Sequence, residues 1–434
     1  MPERPRLIAA LLTALVVFTA APAAPADAAR GVAVPDFYTP PSSLPAADGA
    51  LIRSEPLPLA LSLPGLHGPL PGRATRIMYK STDNNGQPVA VTGAYVEPAA
   101  AWKGPGTRPL VVLAPGTMGQ GDQCSTSLAL QKGLVIGIGG SRSTVSVGYE
   151  VLALYRLLAK GIAVVQTDYV GLGTPGRLHT YVDRVDEGHA VLDAARAARA
   201  LTGRTSDVGL YGYSQGGGAT AAAAELQASY APDVALRATY SGAPPANLLD
   251  TTTAIDGTEL AGAIGWAVNG FVQSSPELEP LLAKYLSDAG RAALTDLSTM
   301  CVGDAIFAYA GKKTSSWTTT GRSMTDILRS EPVAKAFIDA QLIGTTKPTG
   351  VVRVATGVND NLVPHAQART MAAAWCGLGG DVVYVPINVL KTPSPLLNHF
   401  GPLLSDQGTA VDWLSARLSG TAVTSNCAGL PQLA

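Results

Sequence analysis

The sequence predicts an α/β fold: a mostly parallel, doubly wound sheet with an inserted helical cap. Short, wholly apolar runs alternate with helix-length segments, a Gly-x-Ser-x-Gly pentapeptide joins one such run to an Ala-rich helical stretch, and roughly a hundred residues of helical pattern interrupt the alternation. The runs Leu110–Ala114, Ala163–Thr167, Val208–Gly212, Arg237–Tyr240, Val351–Thr356 and Val382–Val385 are the expected central strands. Runs this apolar, separated by helical segments such as Val182–Leu201, suit parallel strands covered on both faces.

Taken in order, residues 1–29 read as a cleaved secretory signal. Arg4 and Arg6 precede an apolar run from Leu7 to about Ala20, and Ala26-Asp27-Ala28 follows as a cleavage site. The run is shorter than the ~20 apolar residues that a bilayer crossing needs. Residues 30–75 are rich in Pro and Gly and form an extended arm. The first part of the core, 76–245, opens with a hairpin of Arg76–Tyr79 and Val89–Val96 around a tight turn at Asn84-Asn85-Gly86. Residues 246–345 hold three helical patterns, Glu259–Val272, Glu277–Leu297 and Met324–Leu342, and no strand. They are expected to cap the C-terminal edge of the sheet, where ligands bind in such folds. The second part of the core is 346–434.

The composition excludes several classes of function. The 434 residues carry 31 basic against 32 acidic side chains, a balance without the electrostatic footprint of a nucleic-acid binder. After the signal no segment is long and apolar enough for stable membrane insertion, which leaves at most transient contact with a lipid interface. Secretion is the expected fate. Nothing in the sequence speaks to oligomeric state.

Ser214 stands in Gly212-Tyr213-Ser214-Gln215-Gly216, between the strand Val208–Tyr211 and the helix Gly217–Leu226. A sharp strand-to-helix turn exposes such a serine, and the helix start sets backbone N–H groups beside its oxygen. A serine hydroxyl needs a base oriented by a carboxylate, and in this arrangement the acid and then the histidine follow later in the chain. Asp360 follows the strand Val351–Thr356 and fits the acid. Otherwise it is an Asx-turn residue capping the next helix. His399, after the last strand and just before a helix containing Trp413, fits the base. His365 lies too near Asp360 on the same loop, and His67, His179 and His189 precede the serine and read as structural. The turn Ala114-Pro115-Gly116-Thr117-Met118 offers the first oxyanion donor, the N–H of Thr117 or else of Met118. The N–H of Gln215 is the second.

No cofactor or metal is expected. Histidines and cysteines are scattered, Asp122 and Asp168 read as ordinary loop residues, and Gly133, Gly137, Gly139 and Gly140 form no dinucleotide fingerprint. Four cysteines in an exported chain suggest two disulfides, with three possible connectivities. Cys124 with Cys301 and Cys376 with Cys427 is the preferred pairing, because the second would staple the C-terminal tail and the first would cross a long loop.

These residues resemble the secretory lipase family of actinobacteria and yeasts, exported α/β-hydrolases of the lipase A type. The likeness lies in Asp36-Phe37-Tyr38-Thr39-Pro40-Pro41, Ala114-Pro115-Gly116-Thr117 with Cys124 downstream, Thr167-Asp168-Tyr169-Val170-Gly171, the Ser214 pentapeptide, Asp360 before Val363-Pro364, and His399. The resemblance implies a Ser-Asp-His hydrolase of carboxylic esters, acylglycerols included, with a helical lid, and it supports the preferred cysteine pairing. It carries catalytic roles to Ser214, Asp360 and His399. Family members vary at the oxyanion turn, so Thr117 is carried less firmly. Ile264, Trp266, Val268 and Phe271 are candidates for an acyl pocket or for ordinary helix packing. An acyltransferase using the same triad, or a catalytically idle binding module, are the alternatives.

Overall fold

The computed structural model describes residues 34–62, 71–138 and 143–430. The expected signal segment, 1–29, lies outside them, as does His67. Eleven strands are described: β1 (Leu51–Leu57), β2 (Gly72–Thr82), β3 (Pro88–Pro98), β4 (Leu110–Ala114), β5 (Leu134–Ile138), β6 (Ser143–Val147), β7 (Ala163–Thr167), β8 (Val208–Tyr213), β9 (Leu236–Gly242), β10 (Val351–Gly357) and β11 (Asp381–Ile387). Nine of them form one sheet in the order β1-β2-β3-β7-β4-β8-β9-β10-β11, and β5 and β6 pair as a separate hairpin. Pairing is antiparallel from β1 to β7 and parallel from β7 onward.

Side chains of the central strands alternate between two cores, as a period of two requires. Leu110, Val112 and Ala114 of β4 point to one face, where helices α3 (Arg184–Thr202), α4 (Gln215–Tyr230) and α12 (His365–Gly377) supply Ala194, Ala222 and Trp375. Val111 and Leu113 point to the other face, covered by Leu154 and Leu157 of α2 (Val151–Ala159) and Val411 and Leu414 of α13 (Pro395–Leu418). Leu113 is fully buried, and its truncation to Ala would cost about 2–5 kcal/mol.

Several expectations need correction. The strands extend beyond those expected: within residues 30–75, β1 pairs with β2 from Leu51↔Tyr79 to Leu57↔Ala74. The hairpin strands are longer than the apolar pattern indicated, and the expected turn residues Asn84-Asn85-Gly86 lie within the connecting residues 83–87. Only Gly86 there has a positive φ, and the Asp83 carboxylate accepts from the N–H groups of Asn85 and Gln87. The α1 helix (Thr126–Lys132) and the β5–β6 hairpin, both between β4 and β7, went unread.

Between β9 and β10 lie seven α-helices: α5 (Leu248–Ile255), α6 (Gly262–Ser274), α7 (Glu279–Tyr285), α8 (Asp288–Leu297), α9 (Val302–Tyr309), α10 (Met324–Ser330) and α11 (Pro332–Ala340). They surround a core of their own that includes Trp266, Leu294, Leu297 and Trp317. The single helix expected over Glu277–Leu297 is broken at Leu286, where the chain turns extended and the Ser287 hydroxyl caps α8 through the Gly290 N–H. The cysteines pair as Cys124–Cys301 and Cys376–Cys427, each with Cα atoms 5.4 Å apart.

Candidate active site

Ser214 sits between β8 and α4 with φ 58° and ψ −125°. A non-glycine residue gains nothing locally from that conformation, so the surrounding structure must hold it there. The Ser214 N–H donates to Gly242 O at 2.9 Å. A Cβ on Gly216 would stand 2.0 Å from Ala114 O, and one on Gly212 would stand 2.1 Å from Gly216 O. The two glycines of the pentapeptide thus exist because strand, turn and helix backbones approach too closely for a methyl group.

His399 lies inside α13 rather than before it, one turn in from Ser394, whose hydroxyl accepts from the Leu397 N–H as the N-cap. The Tyr213 hydroxyl donates to His399 O at 2.7 Å, tying this turn to the residue before Ser214. Asp360 follows β10. Its Oδ1 accepts from the N–H groups of Leu362 and Val363, both at 3.0 Å, and its Oδ2 lies 2.6 Å from His399 Nδ1. The Asx turn considered as an alternative to the acid role is therefore present, and it aims the second oxygen at the imidazole. A carboxylate can only accept, so Nδ1 carries the proton and the Nε2 lone pair faces Ser214 Oγ at 2.9 Å. Ser214, Asp360 and His399 are all buried, with Ser214 the most open of them at 8%.

The other described histidines lie elsewhere. His365 is the first residue of α12 rather than a loop residue, and it bonds to the Tyr384 hydroxyl. His189 Nδ1 bonds to Thr82 O, and its ring stacks on Tyr230. His179 lies behind Gln215. Its Nδ1–H donates to Val170 O at 2.9 Å, which leaves Nε2 to accept from the Gln215 side-chain amide at 2.9 Å. Burial lowers the His179 pKa to about 4, so the ring stays neutral.

The turn after β4, where the first oxyanion donor is expected, packs against two consecutive residues. The Gly116 N–H donates to the Glu150 carboxyl, and a Cβ on Gly116 would meet the Tyr149 phenol oxygen at 1.6 Å. Thr117 lines the cleft, and its hydroxyl is 2.8 Å from Tyr181 Oη. Burial raises Glu150 to about 7 and Glu187 to about 8. Glu187 Oε1 accepts from the Gln215 amide at 2.8 Å. None of Tyr149, Glu150, His179, Tyr181 and Glu187 belongs to a motif, and no sequence signal marks their convergence.

A small cleft is lined by Ser214, Thr117 and Gln215, with Leu248, Ile264 and Phe271 among its apolar walls. Of the acyl-pocket candidates, Ile264 and Phe271 line this cleft. Val268 lines an apolar cavity that shares Phe271 with this cleft. Trp266 is packing: it is 1% exposed, and its indole N–H donates to Leu297 O. Asp168 proves to be no ordinary loop residue, since its buried carboxyl accepts from the hydroxyls of Thr92, Thr126 and Ser127 and from the Ser127 N–H. Among the described residues no His, Cys, Asp and Glu side chains cluster to hold a metal ion, and no helix is long and apolar enough to cross a membrane.

The sheet order, the serine turn after β8 and the later acid and histidine define an α/β-hydrolase. The chain belongs to the secretory lipase family, whose model matches residues 138–426. It is 31% identical over 360 residues to a probable inactive lipase of Mycobacterium tuberculosis (strain CDC 1551 / Oshkosh), covering 80% of this chain and 75% of that one. It is 28% identical over 411 residues to Lipase 1 of Candida albicans, covering 91% and 82%. Among solved structures it superposes on Candida antarctica lipase A in its closed state with TM-score 0.76 at 20% identity, covering 92% of this chain and 89% of that one. The rice cell wall degrading esterase LipA from Xanthomonas oryzae follows with TM-score 0.69 at 21% identity, covering 87% and 100%. Membership makes carboxylic ester hydrolysis the activity class of the chain.

Proposed function

We propose that the protein is a secreted serine hydrolase that cleaves carboxylic esters, acylglycerols among them, through an acyl-enzyme on Ser214. The observation that carries this reading is the continuous hydrogen-bond line from Ser214 Oγ through His399 to Asp360, at 2.9 and 2.6 Å. His399 Nε2 takes the hydroxyl proton as Oγ attacks the ester carbonyl, and Asp360 stabilises the imidazolium that forms. The imidazolium then returns the proton to the leaving alcohol, and water repeats the sequence on the acyl-enzyme with His399 again as base. The apolar cleft walls suit an acyl chain. Two disulfides fit an oxidising, extracellular setting, and the family is a secretory one.

One relative is a probable inactive lipase, so the activity needs a direct test in this chain. Purified Ser214→Ala is expected to fold and to lose essentially all hydrolysis of p-nitrophenyl butyrate. Hydrolysis at the native rate would remove the proposed nucleophile. Release of fatty acid from a triacylglycerol emulsion, compared with a soluble short ester, decides between lipase and esterase.

A further inference from the structure

The Thr117 hydroxyl is 2.8 Å from Tyr181 Oη, and both groups border the cleft together with Ser214 and Gln215. Thr117 owns two polar hydrogens. The Tyr149 phenol oxygen sits so close to this turn that a Cβ on Gly116 would meet it at 1.6 Å, and the hydroxyl hydrogen is the one set beside Tyr181 at the cleft.

Tyr181 decides where that hydrogen points. The phenol is buried, and burial holds it protonated across the working pH range. Either hydroxyl can donate in this pair: if Thr117 donates, the phenol hydrogen is the one left at the cleft. With Tyr181 donating instead, the Thr117 hydrogen is free to face the space above Ser214. Two donors in series also polarise one another, which strengthens the outer one.

The backbone beside Tyr181 is built to hold this arrangement. Val182, a β-branched residue, has φ 58°, a conformation that persists only where the surroundings enforce it. Its N–H donates to Glu187 Oε1 at 2.9 Å, and the same oxygen accepts from the Gln215 amide at 2.8 Å. One buried carboxyl therefore fixes both the turn that presents Tyr181 and the side chain of the residue after Ser214. The Tyr181 ring meets Trp266 of α6 edge-on, with centroids 5.8 Å apart, so the helices between β9 and β10 also bear on its position.

We infer that Thr117 stabilises the oxyanion of the tetrahedral intermediate through its side-chain hydroxyl, alongside the Gln215 N–H, with Tyr181 as the positioning residue that donates to Thr117 Oγ1. This rests on the proposed attack by Ser214. No covalent change at Thr117 or Tyr181 is involved: the negative charge that forms on the carbonyl oxygen is met by a hydrogen bond already aimed at it.

The test uses the full chain and a soluble p-nitrophenyl ester. Thr117→Val keeps the shape and the N–H and removes the hydroxyl. It is expected to lower kcat by about 10²–10³-fold with KM changed by less than about threefold. Thr117→Ser is expected to recover most of the rate. Tyr181→Phe is expected to lower kcat by a smaller factor, and to add no further loss when combined with Thr117→Val. Affinity for a trifluoromethyl ketone, which forms a tetrahedral adduct on the nucleophile, is expected to fall with kcat in Thr117→Val. A Thr117→Val variant with native kcat, or with raised KM alone, beside an inactive Ser214→Ala, overturns the inference and leaves the nucleophile standing. An active Ser214→Ala overturns both. If thermal melting shows that Thr117→Val does not fold, Tyr181→Phe with unchanged kcat and unchanged ketone affinity overturns the inference on its own.

Discussion

At Ser214 the chain holds a positive φ that only its neighbours can enforce, and those neighbours are glycines because backbone crowds them. Gly216→Ala would drive a methyl group into Ala114 O at 2.0 Å, so β4 and α4 would have to separate. The expected outcome is a sharp loss of soluble yield and of ester hydrolysis in whatever folds, whereas Gly86→Ala, in open space, should keep the activity and lose only some stability to its positive φ. Asp360→Asn addresses orientation. An amide can present its NH₂ to the imidazole and reverse the tautomer, so kcat should fall by roughly 10³–10⁴-fold, by analogy with other triads, while the melting temperature stays within a few degrees. A loss below tenfold would mean that Asp360 acts only as the Asx-turn residue. The convergence of Ser214, Asp360 and His399 was legible in the sequence because each follows a strand in an order that brings them to one edge of the sheet. Tyr181 and Glu187 were not, because their roles arise from packing between α3, the turn before it and the residue after the serine.

The elements around the turn after β4 are strapped to the helices between β9 and β10. Cys124 bonds to Cys301, the residue that precedes α9, the Gln120 N–H donates to Met300 O at 3.0 Å, and the Val302 N–H donates to Met118 O at 2.8 Å. The Gln120 side chain adds donations to His179 O and Trp266 O. Cys376–Cys427 instead joins the end of α12 to the C-terminal tail, away from the serine. The double variant Cys124→Ser/Cys301→Ser should therefore lose about 2–5 kcal/mol of stability and much of kcat. Cys376→Ser/Cys427→Ser should lose stability with kcat nearly unchanged. Equal kcat losses in the two variants would mean that the first bond has no special tie to the site. Element existence was legible where apolar runs or long helical patterns stood out. The break at Leu286 was not, because Glu277–Leu297 keeps a helical pattern across a junction that tertiary packing opens. Strand β1 was hidden by its half-exposed place at the sheet edge.

Over the whole molecule the helices on both sheet faces are built largely from small and aliphatic residues, and several carboxyls are buried among them. Burial raises Asp122 and Asp193 to about 6, Glu150 to about 7 and Glu187 to about 8. Each folded-state value lies above the unfolded one, so the folded chain keeps protons that the unfolded chain releases. Their contribution to stability is complete below about pH 4 and is lost as pH rises through about 8. Thermal melting followed by circular dichroism should show the midpoint falling between pH 5 and pH 8.5. A midpoint that rises over that interval would mean that these carboxyls are ionised in the folded state. The sheet class was legible from the alternation of apolar runs and helical segments, since burial on both faces dictates it. The placement of α1 and the β5–β6 hairpin between β4 and β7 was not, because it depends on contacts distant in sequence.

Whether Ser214 is the group made reactive by His399 and Asp360 is decided by peptide mapping after treatment with a fluorophosphonate. One stoichiometric phosphonyl mass increment is expected, carried by the peptide containing Ser214 and absent from His399→Ala. No labelling of the native protein, or labelling of another serine in its place, would contradict that role for Ser214.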